Sequence, residues 1–321
     1  MTESPPPAAD ELSFAHLSDP HLTRLQNVGW RQLINKRLLG YLSWQRKRCA
    51  EHRPEVLEAL VQDLRRTQPE QIVITGDLTQ IGLADEFRQA RRWLEQLGDS
   101  ERITVIPGNH DAYVQTDWNA TYAQWQPYMQ SDPDFRSASA SASVVFPTLR
   151  IRKSVAVIGL SSAVATAPFL ATGALGAAQR ERLAQLLRMT REQGLFRLVL
   201  LHHPPSVNDE KWRKRLTDGR ALCAILGREG AELVLHGHGH YHAESAVPYE
   251  GGDIPVFGIP SASAIGRKPE RRAQYWLYRV QRSAGRWLVT ISVRAYQLES
   301  QQFEPQQTRH LSLPVMPSTS R

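Results

Sequence analysis

Cysteine is nearly absent: Cys49 and Cys223 are the only two among 321 residues, and neither falls in a CxxC pattern. A disulfide framework and a thiolate zinc site are therefore excluded, and a reducing compartment fits best. Long apolar runs are lacking as well. The stretch between Lys153 and Arg180 has no charged residue, but serine, threonine, glycine and Pro168 interrupt it. A spanning helix needs about 20 predominantly apolar residues, so Val155 to Leu160 reads as a short buried strand followed by a loop of small residues. The opening MTESPPPAADELSF has acids and prolines where a secretory leader would have basic and then apolar residues. Residues 1–12 read as a disordered tail of a cytoplasmic protein.

What is present is ordinary globular material, 41% hydrophobic and 22% charged. The net charge of +7 favours an anionic partner, whether a phosphorylated metabolite, a nucleic acid or an acidic membrane surface. No nucleic-acid-binding module or separate basic tail is recognisable. Short apolar runs rich in β-formers, at Phe14 to Leu17, Ile72 to Thr75, Ile103 to Ile106, Val155 to Leu160, Leu198 to Leu201 and Leu233 to Leu235, alternate with helical spacing at Pro54 to Arg66, Ala84 to Leu97, Ala178 to Arg191 and Ala221 to Arg228. That alternation predicts an α/β fold. Near the end, Ile254 to Gly258 and two alternating runs, Ala273 to Val280 and Arg286 to Ala295, predict strands, the last two as a hairpin. Residues 13–299 form a single domain on this reading, and 300–321, without any period, a loose tail.

Metal-binding side chains cluster where these strands end. Asp19 and His21 follow the first strand, Asp77 the second, Asn109, His110 and Asp111 the third, His202 and His203 the fifth, and His236, His238 and His240 the sixth. Loops after strand C-termini converge in open α/β sheets, so these residues can share one cleft. Each has a plainer reading as a turn former, helix cap or core histidine, but that explanation needs five independent coincidences. Carboxylate oxygen with imidazole nitrogen suits Mn, Fe, Zn or Co.

The ordered segments SDPH, GDL, GNHD, LHHPP and HGHGH resemble the signature blocks of the calcineurin-like metallophosphoesterase superfamily, over about Phe14 to Ala295. A glycine between the last two histidines is a mild departure. The resemblance implies two mixed β-sheets sandwiched and flanked by helices, and two divalent metal ions. Asp19, His21, Asp77 and His240 would hold one ion, and Asp77, Asn109, His202 and His238 the other, with Asp77 bridging. It further implies hydrolysis by a metal-activated hydroxide, with His110 stabilising charge or protonating the leaving oxygen. Asp111 would either orient His110 or cap the following turn. The pairing of GNHD with HHPP looks most like the bacterial phosphodiesterase branch, which acts on cyclic nucleotides and glycerophosphodiesters. A 3′,5′-cyclic nucleotide or related small diester is the leading substrate expectation. A non-catalytic metal-binding scaffold is the alternative from another class, and the complete ligand set opposes it.

The strongest departure is a basic, amphipathic insertion over residues 27–52, in which Trp30, Leu33, Ile34, Leu38, Leu39 and Leu42 alternate with arginine and lysine. Its plainer reading is a helical hairpin packed on the core with a solvated basic face. Its other reading is a cover for the cleft or a surface lying on an anionic membrane. In the membrane case the substrate would be a phospholipid or a lipid-linked nucleotide of the UDP-diacylglucosamine type. Residues outside the metal shell that could select substrate are Arg31, Arg37, Tyr113 and Arg267, without a ranking among them.

Overall fold

The computed structural model describes residues 11–22, 24–25, 28–136, 143–206 and 210–316. Residues 1–10 of the expected N-terminal tail lie outside them, and Leu12 already opens a strand.

Two six-stranded mixed sheets form the body. The first has the order β12 (Gln302–Pro314), β11 (Arg286–Gln297), β10 (Gln274–Ser283), β1 (Leu12–Leu17), β2 (Gln71–Ile74) and β3 (Ile103–Val105). The second runs β4 (Thr148–Arg152), β5 (Val155–Gly159), β6 (Phe196–Leu200), β7 (Leu233–His236), β9 (Gly252–Gly258) and β8 (Ala243–Tyr249). β1, β2 and β3 are parallel, as are β5, β6, β7 and β9, while β10, β11, β12, β4 and β8 pair antiparallel with their neighbours. This matches the two-sheet architecture expected from the resemblance.

Strand alternation builds three cores. Leu12 and Phe14 of β1 and Val73 of β2 meet Phe196, Leu198, Leu200, Leu233 and Leu235 of the other sheet, together with Trp276 and Trp287. The intervening residues, Ala15, Leu17, Ile72 and Ile74, face outward onto α3 (Pro54–Thr67) and α4 (Ala84–Leu97). On the second sheet Ala156, Ile158, Val199 and Val234 face α6 (Ala177–Glu192) and α7 (Gly219–Glu229). Each fully buried leucine, isoleucine or valine among these contributes roughly 1.5–3 kcal/mol. The β10–β11 hairpin turns at Ala284 and Gly285, both at positive φ (48° and 74°), the conformation that fits a tight turn to twisted strands.

Within the expected loose tail of residues 300–321, Gln302–Pro314 instead form β12, paired along its length with β11, and residues 317–321 lie outside the described residues. Most of its side chains are exposed, apolar packing being confined to Phe303 near its start and to Leu311 and Leu313 near its end, and Pro305 and Pro314 are tolerated because it is an edge strand. The insertion is helical: a 3₁₀ turn at Trp30–Leu33, α1 (Arg37–Ser43), a π-helical turn at Trp44–Arg48, and α2 (Cys49–Glu51). It ends where Pro54 starts α3, with Arg53 held extended before it. The short α5 (Gln126–Met129) completes the helices. Among the described residues no helix is long and apolar enough to cross a membrane.

Candidate metal centre

Backbone hydrogen bonds stitch the strand-end loops together before any side chain acts. Asp19 N donates to Gly76 O (3.0 Å), His21 N to Asp77 O (3.0 Å) and Gly237 N to His202 O (3.1 Å). The approach is close enough that a Cβ on Gly108 would run into the Asp77 carboxylate, and one on Gly237 into Ser18 and Asp19. Asp19, His21, Asp77, His238 and His240 all sit at positive φ. Non-glycine residues rarely adopt that region, and such strain collects at functional sites.

The structure brings all seven expected ligands into one cleft. Asp19, His21, Asp77 and His240 each offer a ligand atom, and these atoms lie within 4.8 Å of one another. His240 Nε2 is 3.0 Å from Asp19 Oδ1 and 3.4 Å from His21 Nε2. Beside them, His202 Nε2 lies 3.3 Å from Asp77 Oδ2 and 3.1 Å from Asn109 Oδ1, and His238 Nδ1 lies 2.8 Å from Asn109 Oδ1. Asp77 Oδ2 thus faces both groups, being also 4.0 Å from His21 Nε2.

The donor set fits divalent cations. His21 and His202 donate Nδ1–H to the carbonyls of Thr79 (3.0 Å) and Thr75 (2.7 Å), which fixes the tautomer and leaves Nε2 facing the cleft. Burial pushes His21 and His238 well below the ordinary histidine range, so each presents a neutral ring, the form that ligates metal. His238 Nε2 is buried without a partner. Burial opposes the Asp77 charge, but His202 and then His110 outweigh it and hold that carboxylate well below its usual value. The same field, against the burial of the ring, raises His202 to about 9.

A family model described as calcineurin-like phosphoesterase matches residues 12–242, which span every one of these loops. The chain belongs to the calcineurin-like phosphoesterase family. A dimetal phosphatase from Danio rerio is similar in fold, with a TM-score of 0.54 at 11% identity over 95% of this chain and 99% of that one. A phosphatase from Mycoplasma pneumoniae (TM-score 0.41, 12% identity, 95% and 94% covered) and Vps29 from Chaetomium thermophilum (0.40, 9%, 97% and 100%) are also similar. At such identities the likeness is one of fold alone. No curated protein matches the chain.

Within this phosphoesterase cleft one expectation changes. Asp111 does not orient His110. Its buried carboxylate accepts Asp77 N and Gly108 N on one oxygen (both 2.9 Å) and Thr79 N and Oγ1 on the other (2.9 and 3.0 Å), clamping the GDL loop to the GNHD loop. Burial and then Asp77 push its carboxyl up to about 7. His203 is taken up by Ser162 Oγ (2.7 Å) and the Ala171 carbonyl (3.1 Å), consistent with its being the weaker candidate of the HH pair. His110 stands at the edge, its ring centroid 4.9 Å from that of His21.

Two residues of the basic insertion were not singled out by sequence. Arg48 places Nη1 2.9 Å from His110 Nδ1 and 3.3 Å from the Gln80 carbonyl, and its Nε is buried without a partner. The His52 ring lies tilted against His21 (centroids 4.5 Å apart) and edge-on to His240 (5.7 Å), and with them it forms a second group able to hold a metal. Its Nδ1 is fixed by Ser263 Oγ at 2.8 Å. One arginine among six basic residues and one isolated histidine carry no spacing signal; only the fold returns them to the cleft.

Proposed function

We propose that the chain is a binuclear metal-dependent phosphodiesterase. The observation that carries this reading is the position of Asp77, whose Oδ2 faces His202 at 3.3 Å on one side and His21 at 4.0 Å on the other, a carboxylate shared by two ligand groups. Asp19, His21 and His240 would complete one metal site, and Asn109, His202 and His238 the other. Two bound divalent ions supply charge neutralisation at the phosphoryl oxygens and a water pKa near neutrality. Mn, Fe, Zn and Co all suit this donor set.

The chain's own residues do the rest. The backbone carbonyls of Thr75 and Thr79 aim two imidazoles, and Asp111 fixes the spacing between the Asp77 and Asn109 loops. Arg48, permanently charged, and His110 present donors at the rim, where a leaving oxygen would depart. The cleft carries phosphoesterase chemistry without a covalent enzyme intermediate. The pairing of GNHD with HHPP favours a 3′,5′-cyclic nucleotide or related small diester in a cytoplasmic setting. A lipid-linked diester is the second reading, favoured by the exposed apolar face of the insertion.

The test is hydrolysis of bis-p-nitrophenyl phosphate against p-nitrophenyl phosphate by metal-free protein with Mn²⁺ restored, beside an Asn109→Ala control. Diester turnover dependent on both metal and Asn109 is expected. Monoester preference would redirect the assignment to a phosphatase, and no turnover with any of the four metals would revive the scaffold reading.

A further inference from the structure

The insertion has two apolar faces, and only one is covered. Leu33, Tyr41 and Trp44 turn inward onto a small cluster with Leu25, Ile81 and Leu83, and Gly40 lets the helix approach Tyr113. Trp30, Ile34, Leu38 and Leu42, spaced four apart, turn outward, with Trp30 and Ile34 70% and 69% exposed. The basic residues divide the opposite way from a solvated basic face. Lys36, Arg37 and Arg48 reach inward to Leu170 O, to Ile81 O and to His110, while Arg31, Arg46 and Lys47 stay exposed beside the apolar row.

The outward face continues through two other segments. Lys36 Nζ donates to Thr166 Oγ1 (2.6 Å) and Leu170 O (2.9 Å), and Ala171 N donates to Arg213 O (2.8 Å). Those bonds tie the segments that carry Phe169, 75% exposed, and Trp212, 62% exposed, to one another and to the insertion at Lys36. Trp212 is itself flanked by Lys211, Arg213, Lys214 and Arg215, all exposed. Of the eight large hydrophobic side chains exposed among the described residues, seven belong to these three segments. No acidic residue interrupts them between positions 28 and 48, 161 and 180, or 211 and 217.

We infer that this three-segment face is a docking surface for an anionic lipid bilayer, seated around the mouth of the metal cleft. Tryptophan and phenylalanine among aliphatics insert at the headgroup boundary, and arginine and lysine beside them attract acidic headgroups. The charge argues against a second copy of the chain as occupant, since two such faces would bring basic residues together. The aliphatic row argues against single-stranded nucleic acid, whose bases stack on rings rather than on Ile34, Leu38 and Leu42. The docking claim stands on exposure and charge and does not depend on which ester is hydrolysed.

The experiment is co-sedimentation of the full chain with vesicles of phosphatidylcholine alone or with added phosphatidylglycerol, for the unaltered protein, Ile34→Asp/Trp212→Asp, Arg213→Glu/Lys214→Glu and Asn109→Ala. The unaltered chain and Asn109→Ala should pellet with the acidic vesicles and not the neutral ones, less so at higher ionic strength. Each face variant should lose about tenfold in partitioning while keeping its turnover of bis-p-nitrophenyl phosphate, which reports an intact fold and cleft. Failure to bind acidic vesicles, or binding that both face variants retain, overturns the inference. So does a dimer, or a complex with a single-stranded oligonucleotide, that Ile34→Asp/Trp212→Asp dissolves without any vesicle binding. An inactive chain that still binds acidic vesicles through this face would separate the docking claim from the phosphodiesterase proposal.

Discussion

At the strand ends polar groups are inside; on the insertion apolar groups are outside. Asp19, Asp77, His202 and His238 are almost wholly buried, while Trp30, Ile34 and Trp212 are largely exposed. Burying a polar group is unfavourable without partners, and an apolar patch in water gains nothing by being there. The first inversion is held in place by hydrogen bonds from backbone carbonyls and by the Asp111 clamp. The second is held by a well-packed inner side, Leu33, Tyr41 and Trp44, which frees the outer one. Only the first is tied into the cores.

The largest expected effect is at the carboxylate between the two ligand groups. Asp77→Ala should lower metal-dependent diester turnover by at least about 10³-fold, the scale for losing one preorganised electrostatic partner, without the Tm falling by more than a few degrees. Steady-state rates with saturating Mn²⁺ and a thermal melt of the metal-free protein check both halves. The opposite pattern is expected at Arg197 and Glu232, a fully buried pair far from the ligands. Arg197 Nε and Nη2 each meet a Glu232 oxygen at 2.9 Å, and Arg197 N donates to Oε2 at 2.6 Å. Glu232→Ala strands a buried guanidinium, so unfolding free energy should drop by roughly 3–5 kcal/mol in denaturant titrations, with kcat of the folded fraction unchanged.

Arg48 joins the two regions, being carried by the insertion and pointed into the cleft. Arg48→Ala should reduce kcat by about 10²-fold, with Arg48→Lys recovering part of the loss because charge returns without the planar fork. An unchanged kcat in Arg48→Ala would make the insertion's contact with His110 structural only.

How much of this was legible follows from where each signal resides. The helices over 54–66 and 84–97 were visible because their inner faces are apolar at helical spacing, and the observed α3 and α4 agree within a residue. The ligand loops were visible because residue type and strand-end position are both written in the chain. β12 was invisible because the polar, exposed stretch from Glu304 to His310 is held by backbone pairing to β11, and its apolar contacts are confined to Phe303 at one end and Leu311 and Leu313 at the other. Arg48 and His52 were invisible because their roles arise from how the insertion packs. The direction of the insertion's faces was misleading for the same reason: composition shows six basic residues, and only packing decides that three of them turn inward.

The smallest effect is expected at Ile34, set against the same chemical change at Ile81 beneath the insertion. Ile81 lies in the covered cluster at 0% exposure and Ile34 on the outer row at 69%. Ile81→Ala leaves a cavity among Leu25, Leu83 and Tyr113 and should cost about 2–5 kcal/mol. Ile34→Ala removes the same atoms from water-exposed surface and should change stability by less than about 0.5 kcal/mol. Denaturant midpoints compared at constant slope read the difference. Equal losses at both positions would mean that the outer row is packed in solution, by self-association or by rearrangement of the helix. A silent Ile34 beside a costly Ile81 means that folding does not use the outer row, which leaves it to a partner.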